Sequence, residues 1–212
     1  MPHARSLGAA LGLAGLVAAC GSPPEVRLHS LLSGVPAASV ARPAGAPLRV
    51  SVAPVTVPAA VDQPQWLVRR PDDSLQLLEQ DRWASPPADE VRAALRDGLV
   101  RRWGAVDAGI APRDDAPAGA SSWRVVVEVL RLDSRPGRDT LLEARWTVLP
   151  PQRGAVPARC TLHQREPVSA DGILPLVEAH RRTVAALADA IGRQLRAMEA
   201  GAPATCVTAP VS

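Results

Sequence analysis

Residues 123–133 read WRVVVEVLRLD and residues 141–149 read LLEARWTVL, and these two stretches decide the fold. The second alternates strictly, with Leu142, Ala144, Trp146 and Val148 on one face and Glu143, Arg145 and Thr147 on the other, as a half-buried strand requires. The first is apolar on both faces, which predicts a central strand. Arg135 to Asp139 joins them, so the pair reads as a long hairpin. Glu128 and Glu143 both fall on it. With Arg131 and Arg145 nearby, a solvated, charge-matched face is expected there rather than a carboxylate pair for acid–base work.

Working outward, RCTLHQR at 159–165 predicts a third, more polar strand on the C-terminal side. Upstream, QWLVRR at 65–70 and SLQLLEQ at 74–80 flank Pro71, Asp72 and Asp73, a hairpin with a polar turn. LRVSVAPVTV at 48–57 reads as a strand entering the domain, ended at an edge or bulge by Pro54 and Pro58. VRLHSLL at 26–32 offers a possible first strand. Two helices complete the set. One follows Ser85, Pro86 and Pro87, with Asp89 and Glu90 in its first turn and an apolar stripe at Val91, Leu95, Leu99 and Trp103, joined by Ala94. The other runs from about Leu174 to Ala200 with a stripe at Val177, Val184, Leu187, Ile191, Leu195 and Met198. The expected architecture is α+β: a mainly antiparallel sheet of about six strands with two helices packed on it, an α/β sandwich.

The N-terminus sets the compartment. An apolar stretch after Arg5 closes in Leu16, Val17, Ala18, Ala19 and Cys20. It is too short for a bilayer span, which takes about 20 apolar residues, and has the form of a signal peptide. The cysteine directly after the small pair resembles a bacterial lipobox. On that resemblance residues 1–19 are removed and Cys20 is acylated, which anchors the chain stably to a membrane. Gly21 stands where an aspartate would signal retention at the inner membrane, so the outer membrane, periplasmic face, is expected. Residues 20–47 then serve as anchor and tether, 48–200 as one domain and 201–212 as a tail.

Composition excludes several classes. Apolar residues make up 47% and charged residues 21%, enough for a core. Net charge is only +3, and the arginine pairs are separated by acidic residues, so nucleic acid is not an expected partner. Five tryptophans supply all the aromatic area, since tyrosine and phenylalanine are absent. Cys160 and Cys206 could join as a disulfide in an oxidising compartment, or remain a buried cysteine and a free tail cysteine; spacing alone leaves both open. His29, His163 and His180 show no metal-pair spacing, and no nucleophile elbow, phosphate loop or dinucleotide fingerprint occurs. No catalytic residue, metal or cofactor is therefore expected, and the chain reads as a non-enzyme.

One motif series remains. Val61, Asp62, Gln63, Pro64 and Gln65 precede a strand ending in Arg69, and the triplet Arg82, Trp83, Ala84 precedes a helix. A strand then ends in Leu132 and Asp133, its partner carries Ala144 and Trp146, and a terminal helix follows Ala179. In order and spacing this resembles the ABC-type transport auxiliary lipoproteins, the family of the paraquat-inducible lipoprotein C. The resemblance covers nearly the whole mature chain. It implies an auxiliary, docking component of an ABC lipid (intermembrane phospholipid) transport system whose partner is a mammalian-cell-entry (MCE) protein, with a homo-oligomer as one possible state. The motif residues then either contact that partner or serve structure: Pro64 setting a turn, Asp62 capping it, Arg69 and Arg82 pairing with carboxylates, and Trp83 filling space beside the helix. The alternative function is a periplasmic lipid-binding carrier lipoprotein that holds an acyl chain between sheet and helix.

Overall fold

The computed structural model describes residues 24–32, 48–109 and 122–206. Cys20 and the expected signal segment lie outside these residues. Eight strands and two helices follow in the order β1 (Arg27–His29), β2 (Arg49–Val52), β3 (Gln65–Arg69), β4 (Leu75–Trp83), α1 (Pro87–Trp103), β5 (Val106–Asp107), β6 (Trp123–Arg135), β7 (Asp139–Leu149), β8 (Ala158–Pro167) and α2 (Ile173–Glu199).

The class is α+β as expected, but the single, mainly antiparallel sheet of about six strands is not what forms. There are two mixed sheets, a three-stranded one in the order β1-β4-β3 and a five-stranded one in the order β5-β2-β6-β7-β8. The difference has a physical source. β1 pairs parallel to β4, and β2 pairs parallel to both β5 and β6, each across a long connection. Such pairings of two or three residues leave no periodic trace, whereas antiparallel hairpins announce themselves through local turns.

The β6–β7 hairpin forms with Val127 opposite Trp146 and Val129 opposite Ala144, and a bulge lies between Val129 and Arg131. β6 is the middle strand of the larger sheet, yet only one of its faces is sealed: Val125, Val127 and Val129 are buried while Val126 and Leu130 are exposed. On the open face Glu128 meets Arg145 at 3.1 Å. Glu143 stands opposite Arg131, so the two glutamates are separately matched with cations.

α2 covers the inner face of β7 and β8, burying Leu176, Leu187, Ile191 and Leu195 against Val127, Leu142 and Trp146. The first helix packs against it closely. A Cβ on Gly98 would meet the Ala188 methyl at 2.8 Å, and one on Gly192 would meet the Trp103 ring at 2.3–2.5 Å. Glycine at 192 lets the indole lie flat on α2, where Trp103 Nε1 also donates to Asp189 at 3.0 Å. Gly104, with φ 62°, ends α1 in the left-handed conformation that favours glycine.

Candidate functional site

The motif residues converge although 17 or more positions separate their two halves. After Pro58 the chain turns tightly: Val61 and Asp62 donate their backbone N–H groups to the Pro58 carbonyl, and Gln63 Nε2 donates to the Ala60 carbonyl at 2.7 Å. Pro64 then presents its carbonyl to the N–H of Trp83 at 2.8 Å, which fastens this turn to the end of β4. Ala84 N–H in turn donates to the His29 carbonyl at 2.8 Å, adding β1. Between turn and helix lies an open groove of about 500 Å³ lined by Asp62, Gln63, Pro64, Trp83, Ala84 and Ser85, and by Pro86 and Pro87 at the start of α1. Val61 packs behind it on the core.

Its floor is rigid. Trp83 stacks on the fully buried Trp66 of β3 with ring centroids 3.7 Å apart and planes 17° off parallel. Gln65 pairs with Arg82 across the start of the hairpin, where an irregularity shifts the register before Trp66. Arg69 reaches sideways to Asp133 of β6 at 3.3 Å, joining the two sheets. Arg82 finds no carboxylate among the described residues; its Nε donates to the Glu79 carbonyl at 3.3 Å. Asp62 is exposed, and no side-chain cap bond forms from it among the described residues. Trp146 stands apart from all of these, buried on the inner face of β7 beside Cys160 and against α2.

Behind the groove runs a buried polar network that sequence reading did not pick out. Trp66 Nε1 donates to Ser134 Oγ at 3.0 Å, and Ser134 Oγ lies 2.7 Å from Nε2 of His180 on α2. Nδ1 of His180 has no hydrogen-bond partner among the described residues. With the Ser134 hydroxyl donating to an unprotonated Nε2, one group is unsatisfied, Nδ1–H; the other tautomer would leave both the serine O–H and Nδ1 unsatisfied, so the first is assigned. Complete burial lowers the His180 pKa to about 3, with nearby Asp133 opposing that shift, and the ring is neutral at physiological pH. A second link joins His29 Nε2 to Asp81 Oδ1 at 2.8 Å. Glu90, buried in the first turn of α1, accepts bonds from Leu31 N at 2.7 Å, Ser30 Oγ at 2.8 Å and Ser85 Oγ at 2.7 Å. Arg181 of α2 donates to the Ser30 carbonyl at 2.8 Å from the other side. The available signal was helical spacing: His180 falls between Val177 and Val184 on the apolar stripe of α2.

A serine 2.7 Å from a histidine has the spacing of a nucleophile and its base, but this pair is sealed. Ser134 is 4% exposed and His180 is not exposed at all, and the indole N–H of Trp66 already occupies the serine oxygen. The pair holds β3, β6 and α2 together. Elsewhere Cys160 and Cys206 form a disulfide with Cα atoms 5.6 Å apart, which ties the C-terminal segment to β8. That resolves the choice the spacing left open.

With this geometry in hand, comparison with known proteins identifies the lineage. A family model described as the ABC-type transport auxiliary lipoprotein component matches residues 31–192. No curated protein matches the chain. Among solved structures, a crystal structure of an uncharacterized protein shares 18% identity and a TM-score of 0.59, covering 81% of this chain and 99% of its own. A Xanthomonas campestris protein shares 18% identity and a TM-score of 0.57, covering 84% of this chain and 96% of its own. At such identity these two similarities speak for the fold.

Proposed function

Since the chain belongs to the ABC-type transport auxiliary lipoprotein family, we propose that it is a non-enzymatic docking component of an MCE-type ABC lipid transport system, anchored through acylated Cys20 to the periplasmic face of the outer membrane. The observation that carries this reading is the convergence of Asp62, Gln63 and Pro64 with Trp83, Ala84 and Ser85 in one groove. A rigid aromatic floor flanked by an exposed carboxylate suits the capture of an extended segment from a partner protein. The Ser134–His180 pair is sealed and cannot serve that groove as nucleophile and base, which favours docking over catalysis. The volume between sheet and α2, where an acyl chain would have to lie in a carrier, is occupied by Leu142, Trp146, Leu187 and Ile191, which favours docking over carriage.

The test is Asp62→Arg in the full-length lipoprotein. Asp62 is exposed, and substitution of such a residue changes stability by no more than about 0.5 kcal/mol. The variant is expected to melt with the native protein and to lose capture of the MCE partner. Full capture by a folded variant would remove the groove from the interface.

A further inference from the structure

The outer face of the three-stranded sheet can be read from its register. Leu28 stands opposite Arg82, which also pairs with Gln65; beyond the irregular stretch Leu67 stands opposite Leu77, and Arg69 opposite Leu75. Side chains alternate along a strand and directly opposed residues share a face. The other face holds His29, Trp66, Val68 and Trp83, all buried. The first set therefore points away from the core. On it Leu28 is 65% exposed, Leu75 50% and Leu77 38%. Val26, directly before β1, is 46% exposed, and Leu32, three residues past its end and beside Arg181 of α2, is 42% exposed. Half of the large exposed apolar residues of the described chain thus gather on β4 and around β1, while the rest are spread over α1, β6, the β7–β8 loop and the start of α2. Arg82 lies on this face, Arg69 at its far end is turned to Asp133 of β6, and the exposed Glu79 follows two positions after Leu77 on β4.

Chain length says what covers it. Arg27 is the seventh residue after Cys20, and a fully extended chain spans at most about 3.6 Å per residue, so β1 begins within about 25 Å of an acylated Cys20. β1 is itself held in the domain by Asp81, Glu90 and Arg181. α2 alone, 27 residues at about 1.5 Å each, is about 40 Å long, so the leash is shorter than the domain it holds and the sheet that it enters stays near the bilayer.

We propose that the outer face of the three-stranded sheet rests on the bilayer that holds Cys20, with Leu28, Leu75 and Leu77 in the boundary between headgroups and acyl chains and Arg82 among anionic lipid phosphates. This rests on the lipoprotein reading given above. Apolar side chains at that depth, with arginine at headgroup level, are the arrangement by which peripheral proteins lie on anionic membranes. The contact orients the domain: the sheet faces lipid and the helices face the periplasm.

The test places an environment-sensitive fluorophore on single cysteines introduced as Leu28→Cys, Leu77→Cys and, for reference, Val156→Cys in the loop between β7 and β8. Each full-length acylated protein is reconstituted in vesicles of phosphatidylethanolamine and phosphatidylglycerol containing nitroxide-labelled lipid. Melting curves confirm folding, and intact mass confirms the acyl chains on Cys20. Probes at 28 and 77 are expected to be quenched by the lipid several-fold more than the probe at 156. Equal quenching at all three sites in acylated, folded protein overturns the proposal and leaves the lipoprotein reading intact. A blue shift at 28 and 77 without lipid quenching assigns the face to a second copy of the chain or another protein and also overturns it. A Cys20 without acyl chains overturns it at its premise, and the lipoprotein reading with it.

Discussion

The two sheets are held by different forces. The five-stranded sheet is built on a long local hairpin, and its inner face is an apolar surface, Val125, Val127, Val129, Ala144, Trp146 and Val148, laid against the leucines of α2. Burial of that kind is non-directional and tolerates exchange of one apolar shape for another of similar volume. The three-stranded sheet is small, and two of its three strands are three and five residues long. It is fixed by bonds of defined direction: Trp66 to Ser134, Ser134 to His180, His29 to Asp81, and Ser30 and Leu31 to Glu90. The first part of the family motif, from Val61 to Ala84, lies on or beside the second sheet. The region that carries the groove is thus the one whose geometry depends on individual polar atoms.

Trp66→Ala and Leu187→Ala both empty fully buried positions, and each is expected to cost about 2–5 kcal/mol, with the tryptophan at the upper end. Chemical denaturation measures both, and their conservative counterparts sharpen the contrast. Leu187→Met keeps volume and should cost less than about 1.5 kcal/mol. Trp66→Phe loses the N–H to Ser134 as well as ring area and should exceed it. Equal costs for the two conservative changes would erase the distinction between the sheets.

Ser134→Ala removes the link from β3 to α2 and leaves the indole N–H and one imidazole nitrogen without partners, an expected cost of about 1–3 kcal/mol. Acid should weaken the same network. The His180 pKa is lowered from 6.5 to about 3 in the fold, so the unfolded chain takes up a proton first as pH falls. Its contribution is complete above pH 6.5 and is lost as pH falls toward about 3, at up to about 1.4 kcal/mol per unit. Stability measured between pH 7 and 5 should fall for the native protein and fall less steeply for His180→Gln; parallel slopes would show that His180 is not the titrating group. The smallest effect belongs to the groove itself. Asp62→Ala should leave the melting temperature nearly unchanged, and a large drop would make Asp62 a structural residue.

What could be read in the sequence follows the same division. The β6–β7 hairpin and α2 declare themselves through period and local turns, and both form within a residue or two of the expected bounds. β5, with two residues, and the parallel placement of β1 and β2 depend on partners distant in the chain, so a mainly antiparallel sheet of about six strands was the natural expectation: right in class and in its long hairpins, imprecise in strand number and in the division into two mixed sheets. In the site, the motif residues were legible as a series. Their meeting was not, because it is made past a register irregularity, by the pairing of Gln65 with Arg82 and the backbone bond from Trp83 to Pro64. His180 looks like a boundary residue by type, yet its place on the apolar stripe puts it in the core beside a serine that composition gives no reason to single out. Trp146, singled out with the motif, serves the core of the larger sheet.

The proposed docking of this domain to a lipid transport machine predicts a physical complex in the envelope. The direct measurement is affinity capture of the full-length lipoprotein from its own membranes, under cross-linking, with the captured proteins identified by mass spectrometry. An MCE-domain protein is predicted among them, recovered with the native chain and lost with Asp62→Arg. Repeated capture in which no transporter component appears would contradict the account.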